Sequence, residues 1–557
     1  MRWIVALPSP VEQASATVGR MNDLVIGPSH GGVRTPPRDA AAPPRDGADA
    51  APHDDAGVPI SSREGPGAPP REGVGAPPHD AAHAAVHAAL RAARRAGVAW
   101  AGVGLPARLA VVRRLRRLLA RDAARLAATL ARPPADTLVA EVLPLAESAR
   151  WLLRHAPRVL AARPAGPGRP LWLAGVRAEV RREPLGAVLV LAPSNYPLFL
   201  PGAQALQALA AGNAVCVKPA PGCAEPMRRL AASLAEAGLP PDTLQLLDED
   251  AATGEAASRA GFDRIVLTGS AETGARVLAA AAEHLTPATM ELSGADPVFV
   301  LPGADVDLVA RSLAYGLRLN GGATCIAPRR VFVPHGMAAA LEAALLPLLP
   351  AIPSAVTPPA VAARLERLAA EAVAQGARVC TPAGAPDHPA GAPGRPLVLA
   401  EARPEMALLR HDVFAPWLAL VPVPDGGAAW GEAALDAAAA CPYALGASVF
   451  GPEAEAVALA ARVRAGSVCV NDLIVPTADP RLPFGGRGRS GFGVTRGPEG
   501  LLELTVPKTV SVRRGRFRPH LDPARPGDAG RFAALIALLH GGWRERAAAL
   551  RGLTRRG

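Results

Sequence analysis

The chain has 557 residues, with 60 Lys+Arg against 49 Asp+Glu, a formal net charge of +11, 50% hydrophobic and 20% charged residues. That balance is too apolar for global disorder, and no run reaches the roughly 18–20 uncharged apolar residues that a bilayer span needs. Residues 513–557 hold 11 Arg and 3 acids, a local +8 that leaves +3 for the rest, so a globally basic, nucleic-acid-binding surface is not indicated.

Residues 1–82 are rich in Pro, Gly and Ala, with imperfect repeats such as Pro37-Arg38-Asp39, Pro44-Arg45-Asp46 and Pro78-His79-Asp80. They lack apolar periodicity and read as a disordered leader, with Met21 an alternative start. The short run from Trp3 to Leu7 lacks the h-region and cleavage site of a signal peptide. Leu109, Val112, Leu115, Leu119, Leu126 and Leu130 then recur at helical spacing, with arginines on the other face read as solvated, until Pro133-Pro134 stops the helix. The stretch 171–182 is hairpin-like, with a turn at Ala174-Gly175.

From Ala187 onward short apolar runs alternate with helical segments. Strands are expected at 187–191, 214–217, 244–247 and 264–267, with helices at 203–211, 224–237 and 251–260. This alternation indicates a parallel sheet covered on both faces, and such sheets bind ligands at the carboxyl ends of their strands. Those ends are 193–197, 218–221 and 268–274.

The rare residues fall close to these ends. Only two lysines, Lys218 and Lys508, stand beside 58 arginines, and only five asparagines occur: Asn22, Asn195, Asn213, Asn320 and Asn471. In a chain that prefers arginine, a surviving lysine suggests a need for a compact ammonium. The six cysteines are scattered, with no CxxC pair. Reduced thiols and a cytoplasmic setting are therefore expected, and no metal site.

Seven motifs follow in order: Pro193-Ser194-Asn195-Tyr196-Pro197; Gly212-Asn213 through Lys218-Pro219; Thr268-Gly269-Ser270 with Glu272-Thr273-Gly274; Glu291-Leu292-Ser293-Gly294; Asn320-Gly321-Gly322-Ala323-Thr324-Cys325; Asp412-Val413-Phe414-Ala415-Pro416; and Pro483-Phe484-Gly485-Gly486 with Ser490-Gly491 and Gly493. In this order, with 34 residues from Glu291 to Cys325, the set resembles the NAD(P)-dependent aldehyde dehydrogenase superfamily over roughly residues 83–513.

The resemblance implies an α/β fold: a Rossmann-type cofactor domain at 83–291, interrupted by a ribbon at 171–182, and an α/β catalytic domain at 292–487. A return segment and closing strand at 488–513 would complete a small β oligomerisation ribbon, and 514–557 would be a basic tail. An exposed ribbon edge demands a partner, so a homodimer or homotetramer is expected. The resemblance further implies oxidation of an aldehyde to a carboxylic acid. Cys325 is then the nucleophile, Glu291 the base that activates water, and the Asn195 amide with the Cys325 N–H the oxyanion donors. Retention of Glu291 argues for hydrolytic release over transfer of the acyl group.

NAD or NADP would be held by Lys218, Pro193, Gly269, Ser270, Gly274, Asp412 and Phe414, with the pyrophosphate at the helix N-terminus after Ser270. Departures from the usual pattern are Ser194 for Trp, Pro221 for the ribose-binding Glu, Asp412 for Glu, and Ser293 and Asp296 for Gly and Lys. Loss of the carboxylate at 221 leaves NADP open, with Arg228 and Arg229 as partners for a 2′-phosphate. The segment around Cys325 looks closer to the fatty and aromatic aldehyde branch. The other five cysteines read as small buried hydrophobes, and Lys508 as structural. Residues 531–553 read as an amphipathic basic helix interrupted at Gly541-Gly542. Packing on the body or on a subunit is favoured for it over a membrane surface. A catalytically weak relative acting as a binding or scaffold protein is the alternative function, on the strength of Ser194, Pro221 and Asp412.

Overall fold

The computed structural model describes residues 78–380 and 393–554, apart from Leu171, Trp172, Ala174 and Phe517. The leader up to residue 77 and part of the 171–182 turn therefore lie outside the described residues. Residues 78–82 are not leader: a helix runs Pro78–Gly102 and buries Val86, Leu90 and Ala93.

Two sheets organise the rest. The first has six strands in the order Gly491–Phe492, Ala288–Leu292, Arg264–Gly269, Ala187–Leu191, Ala214–Lys218, Leu244–Leu246. All pair in parallel except Gly491–Phe492, which closes one edge antiparallel. The chain order reverses direction between Ala187–Leu191 and Arg264–Gly269, the switch point at which open α/β sheets bind ligands. The strands read as continuous apolar runs because both faces are covered. Val188, Val190, Val215 and Val217 pack under the helices Leu105–Arg121, Leu143–Val159 and Phe199–Ala211. Leu189, Cys216, Ile265 and Leu267 face the opposite way, onto Val86, Leu90, Ala256, Val277 and Ala281. Each such side chain contributes about 1.5–3 kcal/mol by leaving water.

The second sheet has seven strands, ordered Arg378–Val379, Leu397–Ala400, Trp417–Val423, Pro328–Pro334, Asp296–Val300, Gly446–Phe450, Ser467–Val470. Only Arg378–Val379 is antiparallel. Its core holds Phe299 and Phe332, stacked at 5.5 Å, with Trp417 and Trp430. The third sheet is the ribbon: Val176–Pro184 lies antiparallel between Arg163–Pro164 and Thr505–Arg513. Residues 176–182 thus form one strand rather than a hairpin, and the return strand is its partner. Lys508 makes an exposed ion pair with Glu183 at 3.0 Å.

Three local readings change. The helix expected over 109–130 breaks at Asp122 into Leu105–Arg121 and Ala123–Ala127. Its arginines are not all solvated: Arg108 is buried, with its guanidinium against Gly212. A Cβ at Gly212 would sit 2.4 Å from Arg108 Nη1, and Gly212 has φ +103°, so only glycine fits this helix end. Arg114 donates to Ala237 O, and Arg121 pairs with Glu236. The tail forms two helices, Asp528–His540 and Trp543–Thr554, separated at Gly541-Gly542, with Phe532, Ile536 and Trp543 exposed. Among the described residues no helix is long and apolar enough to cross a membrane.

Candidate active site

Three chain segments meet at the carboxyl ends of the first sheet. The loop after Ala187–Leu191 carries Asn195, half-buried, whose Nδ2 donates to Ala323 O at 3.1 Å while its Oδ1 accepts from Tyr196 N at 3.0 Å. The Tyr196 hydroxyl meets Thr324 Oγ1 at 2.7 Å, so this loop is stitched to the residues just before Cys325. Asn320 completes the stitching, donating through Nδ2 to Asn195 O at 3.0 Å and to Ala323 O at 3.1 Å. Its φ of +51° is a left-handed conformation that asparagine tolerates better than most residues.

Glu291 stands in the strand Ala288–Leu292, 2% exposed. Thr495 Oγ1 donates to its Oε2 at 3.0 Å, and its Oε1 is buried with no hydrogen-bond partner. Burial pushes the Glu291 carboxyl above the usual range, against the Arg496 guanidinium and the Thr495 hydroxyl. The edge strand reaches it through Gly491, paired opposite Glu291 with φ +96°; a Cβ there would lie 1.9 Å from Met290 O. Only glycine allows this approach.

Cys325 is half-buried beside Ile326, Leu445 and Phe484. Burial, reinforced by the carboxylates of Glu291, Asp296 and Asp412, pushes its thiol far up, and only Arg496 pulls the other way. Cys325 therefore lies within the field of the Glu291 carboxylate. Of the remaining cysteines, all free, Cys216, Cys441 and Cys469 are buried as expected, whereas Cys223 and Cys380 are only half-buried.

Lys218 ends its strand with Nζ donating to Glu249 O at 2.8 Å, and burial lowers its ammonium against Asp250 and Glu249. Pro193 is buried at the end of the neighbouring strand. Ser270 caps the helix Ala271–Ala282, its Oγ accepting from Thr273 N at 3.1 Å. The helix N-terminus so oriented suits an anion. Gly269 O accepts from Ser293 N at 3.0 Å. Gly274 serves close packing, since a Cβ would come within 2.8 Å of Leu292 Cδ1. Asp412 has its Oδ1 buried and unpartnered, and burial pushes its carboxyl up to about 6, with Ser293, Arg329 and Arg364 opposing. Phe414 follows, half-buried, on the same loop. The chemistry of this set suits a dinucleotide: an orphaned acceptor at Asp412, an ammonium at Lys218 and a capped helix N-terminus after Ser270. Arg228 and Arg229 both turn to Glu225.

Several residues of the site give no signal in the sequence. Arg329, 2% exposed, donates to Gly322 O, Ala415 O and Trp417 O, tying the Cys325 loop to the Phe414 loop. Arg496, 5% exposed, lies over the rings of Phe484 and Phe199 at 4.5 and 5.6 Å. In a chain with 58 arginines these look like surface charge. Thr495 could have been suspected only from its place behind Gly491 and Gly493. A cleft of about 330 Å³ opens nearby between Glu147, Arg150, Trp151, Arg154 and His155 of one helix and residues 479–481. The latter loop joins the site through Arg496, which donates to Thr477 O.

The model of the aldehyde dehydrogenase family matches residues 68–510. A 4,4′-diapolycopene aldehyde oxidase from Methylomonas sp. is 29% identical over 464 residues, 80% of this chain and 86% of that protein. The succinate semialdehyde dehydrogenase [NAD(P)+] Sad of Escherichia coli K12 is 30% identical over 393 residues, 68% of this chain and 81% of that one. The crystal structure of a Mycobacterium tuberculosis aldehyde dehydrogenase with NAD+ superposes with a TM-score of 0.70 at 26% identity, covering 78% of this chain and 90% of that chain. The match spans both sheets and every loop of the site, and the chain belongs to the aldehyde dehydrogenase family, oxidoreductases that act on aldehydes with NAD(P).

Proposed function

We propose that Cys325, Glu291 and Asn195 carry the oxidation of an aldehyde to a carboxylic acid, through a thiohemiacetal and then a thioester on Cys325. The observation that carries the reading is the convergence of three separate segments: Asn195 tied to the Cys325 loop, and a buried Glu291 with one free oxygen in the field of that thiol.

The thiol is held protonated by burial, so its proton must leave as it attacks. That proton passes to solvent, leaving the Glu291 carboxylate free for the hydrolytic half-reaction. Sulfur then bonds to the carbonyl carbon, and the carbonyl electron pair moves to oxygen. The Asn195 Nδ2–H and the Cys325 backbone N–H stabilise that oxyanion, a donor of this kind being worth roughly 3–4 kcal/mol. When the oxyanion collapses, the carbon's hydrogen leaves with both electrons and a thioester remains. The oxidised dinucleotide supplies the hydride acceptor. Glu291 then takes a proton from water through its free Oε1; hydroxide adds to the thioester, the acid leaves as the Cys325 C–S bond breaks, and the proton on Glu291 returns to the sulfur.

The dinucleotide would lie along Lys218, Pro193, Gly269 and the Ser270 helix end, with Asp412 on the nicotinamide ribose and Phe414 beside the ring. Gly274 supports this site by packing. The chain divides into a cofactor domain around the six-stranded sheet and a catalytic domain around the seven-stranded one. The ribbon serves subunit assembly as a homodimer or homotetramer, in the cytoplasm. The cleft between Trp151 and Pro480 is the approach for substrate. The test is NADH or NADPH formation by purified protein over short, long-chain and aromatic aldehydes. Turnover lost in Cys325→Ala supports the reading; no turnover by folded wild type on any of them contradicts it.

A further inference from the structure

Behind the loop that carries Asn195 lies a buried ion pair that no step above uses. Glu141 is fully buried in a π-helical turn, Leu138–Val142, set into a longer helix, the kind of irregularity often found at functional sites. Its Oε2 accepts from the backbone N–H groups of Leu198 and Phe199, each at 2.8 Å, at the first turn of the helix Phe199–Ala211. Its Oε1 accepts from Arg132 Nη2 at 2.8 Å. That same nitrogen donates to Asn195 O at 2.9 Å, and the guanidinium lies over the Tyr196 ring at 5.7 Å.

The pair thus grips residues 195, 196, 198 and 199 from one side, while Asn320 and Thr324 grip 195 and 196 from the other. The direction of the Asn195 amide depends on this grip. Its Oδ1 is fixed by Tyr196 N, so any shift of the 195–199 backbone swings Nδ2 away from the Cys325 loop. Capping a helix needs only a carboxylate or a hydroxyl. A guanidinium 15% exposed that reaches past it to Asn195 O is an expensive addition, since two apolar residues would usually be as stable.

We propose that Arg132 and Glu141 are positioning residues for the oxyanion donor, holding Asn195 in the orientation that the reacting carbonyl requires. This rests on the reading of Asn195 as that donor. Preorganised donors are effective because they do not reorient as charge develops, and a donor on an untethered loop loses that advantage.

The experiment is a double-mutant cycle, with Glu141→Gln, Arg132→Met and Arg132→Lys each made in wild type and in Asn195→Ala. Aldehyde kcat, dinucleotide Kd by titration and thermal midpoint are read for every protein. Glu141→Gln is expected to lower kcat by about tenfold with dinucleotide Kd within about twofold of wild type. Arg132→Lys is expected to restore part of what Arg132→Met loses. In the Asn195→Ala background these changes are expected to cost less than about twofold further. An equal loss in both backgrounds, or a parallel fall in dinucleotide affinity, would make the pair a general structural element and overturn the proposal. If Asn195→Ala itself keeps wild-type kcat, the reading of Asn195 fails and the proposal falls with it. Should Glu141→Gln not fold, the comparison of Arg132→Lys with Arg132→Met decides the question by the same criteria.

Discussion

Thr495 donates its hydroxyl to one oxygen of Glu291 at 3.0 Å and leaves the other buried without a partner. The first contact orients the carboxylate and the second oxygen stays available for a proton. The Thr495 hydrogen bond stabilises the charged form and works against burial, which raises the carboxyl. Thr495→Val removes that bond, so the Glu291 carboxyl titrates higher still. The acid limb of the kcat–pH profile should move to higher pH, and kcat near neutrality should fall by roughly tenfold, the worth of about 1.4 kcal/mol. An acid limb that stays in place would show that Glu291 does not set it.

Replacing the proposed base should separate the two half-reactions. Glu291→Gln should lose about 10²–10⁴ in kcat, and deacylation should suffer most because Glu291 is the proposed acceptor of the water proton. Rapid mixing with aldehyde and dinucleotide should then give one burst of NADH or NADPH per site followed by almost no turnover. A loss of the burst together with the turnover would place the dependence on Glu291 in the first half-reaction.

If Asp412 holds the dinucleotide as proposed, its grip is acid-sensitive. Its carboxyl is pushed up to about 6, and its Oδ1 has no protein partner. The charged form is the better acceptor for a ribose hydroxyl, so dinucleotide KM should rise as pH falls through about 6. Asp412→Asn should weaken binding by roughly tenfold at neutral pH, as loss of one charge-assisted hydrogen bond would, and should flatten that pH dependence.

Stability carries a separate signature in Asp296. This acid is buried beside Cys325 and pushed up to about 7, mainly by burial. A carboxyl raised in the folded state contributes stability that is fully present below its unfolded value and is lost as pH rises through the folded one. Asp296→Asn should therefore leave stability unchanged below about pH 4 and raise it by on the order of 2 kcal/mol above pH 8. Denaturant midpoints across that range check the sign.

Much of the site was legible in the sequence because the chain is so biased. With two lysines and five asparagines in 557 residues, those at the bends of the candidate site stood out. Asn195 and Asn320 meet at the Cys325 loop. Asn213 is fully buried and fills all its bonds, accepting from Leu185 and Gly186 and donating to Ala208 and Leu504. Asn471 closes a turn on Gly451 from a left-handed conformation. The alternation of apolar strands and helices was equally plain, because a doubly covered sheet leaves no polar face to confuse the pattern. The same bias concealed the rest. Arg108, Arg132, Arg329 and Arg496 are buried or nearly so; Arg108 packs against Gly212, and the other three each tie a loop to a neighbouring element. A guanidinium needs several acceptors brought from distant parts of the chain, and no local periodicity records them. The helix Pro78–Gly102 was missed because its alanine-rich start continues the composition of the leader.

The central claim is that an acyl group passes through Cys325, and the direct measurement is the mass of the trapped intermediate. Glu291→Gln, mixed with aldehyde and oxidised dinucleotide and quenched in acid, should carry one acyl group per chain on the peptide that contains Cys325. An adduct on another cysteine, or none while wild type turns over, would contradict the account.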